Sequence, residues 1–129
     1  MTKVNMRMDP VVLPDSKEDT YMLCLTVEGH AGYAPKGQDI VCAAVSVLVQ
    51  ALAGALSRLD ENRLFDFAVD GTADSGSAGI TAVPTSRGWD RVYGMFQMAL
   101  TGFYLLGKAY PDYVSTGDLF AEEEKLYEE

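Results

Sequence analysis

Two cysteines and one histidine are the strongest nucleophile and acid–base candidates in this chain of 129 residues. His30 and Cys42 stand on either side of a glycine-bearing stretch, 31–38. Asp39, three residues before Cys42, has the spacing of a helix N-cap whose carboxylate accepts from the amides two and three positions on. Ile40, Val41 and Cys42 then become the first three helical positions. A thiol there meets the positive end of the helix dipole and unpaired amides, both of which favour thiolate. A neighbouring imidazolium would favour it further and could later return a proton. Helix-start amides that Asp39 does not use could stabilise a tetrahedral oxyanion. Nucleophile, acid–base group and oxyanion donors can thus all come from residues 29–46.

The same residues have a plainer reading. A cysteine in an alanine-rich helix is often a small hydrophobe, and a single histidine is often a polar surface group. Residue types alone leave the Cys–His dyad open against that reading. Cys24, between Leu23 and Leu25 in a strand pattern, reads as structural. With no C-x-x-C, a thiol-redox role would need Cys24 as the partner of Cys42, which their placement disfavours. No Walker loop, G-x-G-x-x-G or H-E-x-x-H is present, so no nucleotide, cofactor or metal is expected.

The elements that must position the pair follow from periodicity. Val4, Met6 and Met8 alternate with Lys3, Asn5 and Arg7, a strand expected to end before Asp9-Pro10. Tyr21, Leu23, Leu25 and Val27 alternate likewise, so the two strands should form a hairpin with a long connection, 9–20. The first helix is expected from Ile40 to about Leu59, with Val41, Ala44, Val45, Leu48, Leu52 and Leu56 on one side. Phe65, Phe67 and Val69 predict a third strand, Asp70-Gly71 a turn, and 79–83 a fourth strand ended by Pro84. A second helix from Trp89 to Tyr110 carries Val92, Phe96, Ala99, Phe103 and Leu106 at helical spacing, and Pro111 stops it. The expectation is one α+β domain over 1–117, ββαββα, with an antiparallel sheet from two hairpins and two main helices. An acidic tail, 118–129, follows.

Composition narrows the partners. The chain is 48% hydrophobic, which suits one globular domain with its own core. Two cysteines and one histidine exclude a multi-Cys zinc module and a disulfide scaffold. Nineteen acids against ten bases give a net charge of −9, and the tail carries six of the acids against Lys125. Such a body repels phosphate backbones, so no nucleic-acid partner is expected, and a basic protein or peptide suits it better. The start of the chain lacks a secretory h-region, and the apolar run 40–56 is as short as a membrane span can be and suits a helix packed on a sheet. The expected location is cytoplasmic, without a membrane partner.

The stretch Gly29-His30-Ala31, a glycine-bearing loop, then Gly37-Gln38-Asp39-Ile40-Val41-Cys42-Ala43-Ala44-Val45-Ser46 resembles the signature of the ribosomal-processing cysteine protease (Prp) family. The likeness extends loosely over the chain to Tyr110-Pro111-Asp112-Tyr113-Val114. It implies a bacterial endopeptidase, homodimeric as members usually are, that removes an N-terminal extension from ribosomal protein twenty-seven of the large subunit. The cut follows an aromatic residue. By position the resemblance makes Cys42 the nucleophile and His30 the general base, and puts Asp39, Ser46, Gly29 and Gly37 close to the site. It also implies a loop that carries Tyr33 and Lys36 to the bound peptide. Asp39 can equally be a cap, Ser46 can equally bond back to the Cys42 carbonyl, and the loop can equally be a plain connector. The long first connection and the acidic tail depart from the family pattern. They leave room for phage capsid or scaffold proteins as substrates, or for a non-catalytic binding or ribosome-assembly module on the same fold.

Overall fold

The computed structural model describes residues 1–13, 17–35, 37–59 and 76–121, together with the backbone course of 65–72. Four long strands and two helices alternate as expected: β1 (Thr2–Val12), β2 (Asp19–Glu28), α1 (Ile40–Leu59), β3 (Phe65–Thr72), β4 (Ser77–Pro84) and α2 (Trp89–Ala109). A two-residue strand, β5 (Val114–Ser115), completes the sheet in the order β3-β4-β2-β1-β5. All pairings are antiparallel except β1 with β5, which run parallel at Thr2 and Lys3.

Period-two alternation puts Val4 and Met8 of β1, Leu23, Leu25 and Val27 of β2, and Ala78, Ile80 and Ala82 of β4 on one buried face. The register joins them across the sheet, with Val4 opposite Val27 and Leu25 opposite Ile80. Both helices cover this face. Val41, Val45, Val49, Leu52, Leu56 and Leu59 point inward from α1, and Val92, Phe96, Ala99, Leu100 and Phe103 from α2. Phe96 and Phe103 are fully buried and each contributes roughly 1.5–3 kcal/mol by leaving water. Ala44 and Leu48, expected in the core, are only half-buried, as are Leu106 and Tyr110. Leu48 faces α2 instead, where a Cβ on Gly102 would stand 2.6 Å from its Cδ2, so the missing side chain lets the helices approach. The opposite sheet face carries Lys3, Asn5 and Arg7, with Arg7 Nε 2.8 Å from the Asp9 carboxylate. Cys24 lies on that face, half-buried, and accepts from the Thr81 hydroxyl at 3.6 Å, away from any helix start.

Three expectations about boundaries change. β1 does not stop before Asp9-Pro10 but pairs with β2 as far as Val12, opposite Asp19. The Thr2 amide points outward to the Tyr113 carbonyl, and by alternation the nitrogen of Pro10 faces the same outer edge, where no ladder donor is needed. The hairpin connection is therefore shorter than 9–20, closed by Leu13 N–H to Glu18 and Lys17 N–H to Leu13 at 2.8 and 2.9 Å. β3 runs through Asp70-Gly71 to Thr72, opposite Ser77, so the turn comes later than those residue types suggest. Past Gly117, Leu119 is buried, and Phe120 meets Tyr104 edge-on at 5.9 Å. The rest of the acidic tail, 122–129, lies outside the described residues.

Candidate active site

Asp39 organises the start of α1. Its Oδ1 accepts from the Cys42 amide at 2.9 Å, the N-cap bond its spacing predicts. Its Oδ2 accepts from the Tyr33 and Ala34 amides at 2.9 and 3.3 Å, which ties the preceding loop to the helix. Slight desolvation raises the Asp39 pKa, but the amides of Cys42, Ala34, Tyr33 and Val41 together hold it below its ordinary value of 3.8. The stabilisation is complete above pH 3.8 and disappears as the pH falls through the lower folded value. Asp39→Asn keeps a capping side chain but loses the charge and one acceptor oxygen, so the charge-assisted bonds from the Tyr33 and Ala34 amides weaken and the expected cost is about 1 kcal/mol at pH 7. Urea unfolding at pH 7 and at successively lower pH checks this: the gap to wild type should narrow as the pH falls below 3.8, and an unchanged gap would mean the negative charge contributes nothing.

A cavity of about 590 Å³ lies between this helix start and the end of the sheet. His30, Gly29, Gly37, Asp39, Cys42 and Ser46 all line it. His30 enters from the end of β2 and is exposed, while Cys42 is half-buried in the first turn of α1. Among the described residues no hydrogen bond joins the imidazole to the thiol.

Glycines set the imidazole's place. Gly29, at φ +86°, runs so close to the N-terminal strand that an added Cβ would overlap the Met1 carbonyl oxygen. Its amide donates to the Gly76 carbonyl at 2.7 Å. Gly76, at φ +81°, lies under the ring: a Cβ there would stand 2.9 Å from His30 Nε2. Sequence reasoning missed Gly76, and also Thr2 and Ser77, which line the cavity with it. Nothing in their spacing marks them, because β4 and the chain start meet His30 only through sheet pairing.

The Cys42 amide is taken by Asp39 Oδ1 and the Ala43 amide by the Asp39 carbonyl at 3.0 Å, so an oxyanion would have to use donors other than these two. Two local expectations come out differently. Ser46 Oγ accepts from Gln50 Nε2 at 2.8 Å and bonds to neither His30 nor the Cys42 carbonyl. The Tyr33 ring does not line the cavity but packs against Tyr110 and Tyr113. Lys36 lies outside the described residues. A second cavity, about 710 Å³, sits at the other end of β2 beside Tyr21 and Trp89, and neither cysteine nor histidine lines it.

A thiol at a helix start and an imidazole at a strand end, sharing one cavity, suit acyl transfer by a thiolate. The family model for cysteine protease Prp matches residues 15–115. The chain belongs to the cysteine protease Prp family. A ribosomal processing cysteine protease Prp of Mycoplasma pneumoniae is 35% identical over 100 residues, covering 77% of this chain and 90% of that protein. The fold matches the crystal structure of an essential ribosomal processing protease Prp from S. aureus bound to a covalently linked product peptide. The TM-score is 0.67 at 19% identity, over 91% of this chain and 98% of that one. SMU.848 from Streptococcus mutans matches at TM-score 0.59 and 24% identity, over 90% and 91%. As a Prp cysteine protease the chain is an enzyme, and the α+β fold read from its periodicity is the one these structures share.

Proposed function

We propose that this Prp cysteine protease removes the N-terminal extension of ribosomal protein twenty-seven of the large subunit, cutting after an aromatic residue, by a dyad of Cys42 and His30. The observation that carries the reading is the convergence of His30 and Cys42 on one cavity. His30 takes the thiol proton as the thiolate attacks the peptide carbonyl, and the resulting imidazolium returns it to the leaving amine. Water, deprotonated by the same imidazole, then attacks the thioester, releases the carboxylate and restores the thiol. The net charge of −9 suits a basic ribosomal protein as substrate. In this reading the enzyme works in the cytoplasm as a homodimer, as the family resemblance implies.

A synthetic peptide spanning the extension and the first residues of the mature ribosomal protein tests this. Mass spectrometry should find one cut, after the aromatic residue. An intact peptide, with cleavage of a phage scaffold peptide instead, would overturn the ribosomal assignment while leaving the protease.

A further inference from the structure

Three tyrosines that the proposed chemistry does not use meet beyond the C-terminal end of α2. The ring of Tyr33 sits edge-on to Tyr110, with centroids 5.5 Å apart at 88°, and to Tyr113, 5.1 Å apart at 63°. The amides of Tyr113 and Val114 both donate to the Tyr110 carbonyl at 3.0 Å, a tight turn that keeps the two rings together. The same segment reaches the other side of the loop through the backbone. The Thr2 amide donates to the Tyr113 carbonyl at 2.9 Å, and Thr2 Oγ1 donates to the Gly29 carbonyl, next to His30, at 3.4 Å. Tyr33 is in turn tied by its amide to the Asp39 carboxylate, whose other oxygen holds the Cys42 amide. Residues 110–115 therefore brace the loop at both of its ends.

The loop needs such a brace. Gly32, Tyr33 and Pro35 are exposed, and 31–35 take no part in the sheet. Two edge-to-face aromatic pairs favour a docked loop over an undocked one by about tenfold or more. We propose that Tyr110 and Tyr113 are positioning residues of this protease: their rings seat Tyr33 and, through Tyr33 and Asp39, set where residues 31–35 stand relative to Cys42. The effect on turnover rests on the reading of Cys42 and His30 as the reacting pair, whereas the effect on the loop does not.

Hydrogen exchange on the full chain tests the loop directly. In Tyr110→Leu/Tyr113→Leu the Tyr33 and Ala34 amides, both held by Asp39, should exchange about tenfold faster, while the Phe103 amide within α2 stays unchanged. Tyr110→Phe/Tyr113→Phe, which keeps the rings, should restore the wild-type rates. Unchanged loop exchange, or faster exchange that includes Phe103, overturns the proposal. A cleavage cycle then tests the route. Tyr33→Leu and the double leucine variant should each lower kcat/KM about tenfold, and the triple variant no further. Losses that multiply overturn action through Tyr33. Cleavage surviving in His30→Ala or Cys42→Ala would instead overturn the dyad and leave the exchange result standing.

Discussion

Cys42→Ala is expected to abolish peptide cleavage with the fold intact. Cys42 is half-buried, alanine is the best helix former, and the Asp39 cap is made to the backbone amide of residue 42, so the cost in stability is about 1 kcal/mol or less. Loss of the nucleophile removes the covalent route entirely, and knockouts of comparable groups in other proteases lower kcat by about 10⁴-fold or more. Urea unfolding beside a mass-spectrometric cleavage assay separates the two effects. Retained cleavage would end the dyad assignment. His30→Ala adds a sharper reading. Because no hydrogen bond joins imidazole and thiol in the free protein, this variant should lose turnover yet keep a near wild-type rate of Cys42 alkylation. A large fall in alkylation would mean the pair is already formed before substrate binds.

The second large effect is expected at Gly29. Gly29→Ala places a methyl group against the Met1 carbonyl at a φ of +86°, so it meets backbone crowding and left-handed strain together. The expected cost is about 2–3 kcal/mol, a fall in Tm of about 10 °C. Gly32→Ala is the control. Its φ of +70° brings similar strain, but nothing lies within 4 Å of its Cβ, so it should cost only about 1 kcal/mol. Equal Tm values for the two variants, read by calorimetry, would show that the approach to Met1 is not the reason for glycine. Surviving Gly29→Ala protein should also cut poorly, because either the N-terminal strand or the backbone carrying His30 must move to relieve the overlap.

What was legible in the sequence was local. Alternation at Val4, Met6 and Met8 and at Leu23, Leu25 and Val27 reports burial on one face, and burial of that kind leaves a period in the chain. The cap at Asp39 was legible because its bond to the Cys42 amide spans three residues. The signature around His30 and Cys42 named the family that the family model then matched. What escaped depends on contacts distant in the chain. Tyr33 meets Tyr110 and Tyr113, Gly76 lies under His30, and Thr2 holds Gly29; neither spacing nor residue type announces such neighbours. β5 is two residues long and has no period to detect. Pro10 misled because proline ordinarily ends a strand, and only the pairing shows that its nitrogen faces an edge rather than a neighbour.

That proline has an effect outward as well. β5 covers β1 only at Thr2 and Lys3, so among the described residues the rest of this border offers bare peptide groups to any strand that drifts alongside. An open border of this kind is a template on which another copy could pair. A residue with no N–H to offer, placed well along the open stretch, leaves every incoming strand one bond short and with a ring in its path. The imino acid that costs the fold nothing internally is thus a safeguard against polymerisation.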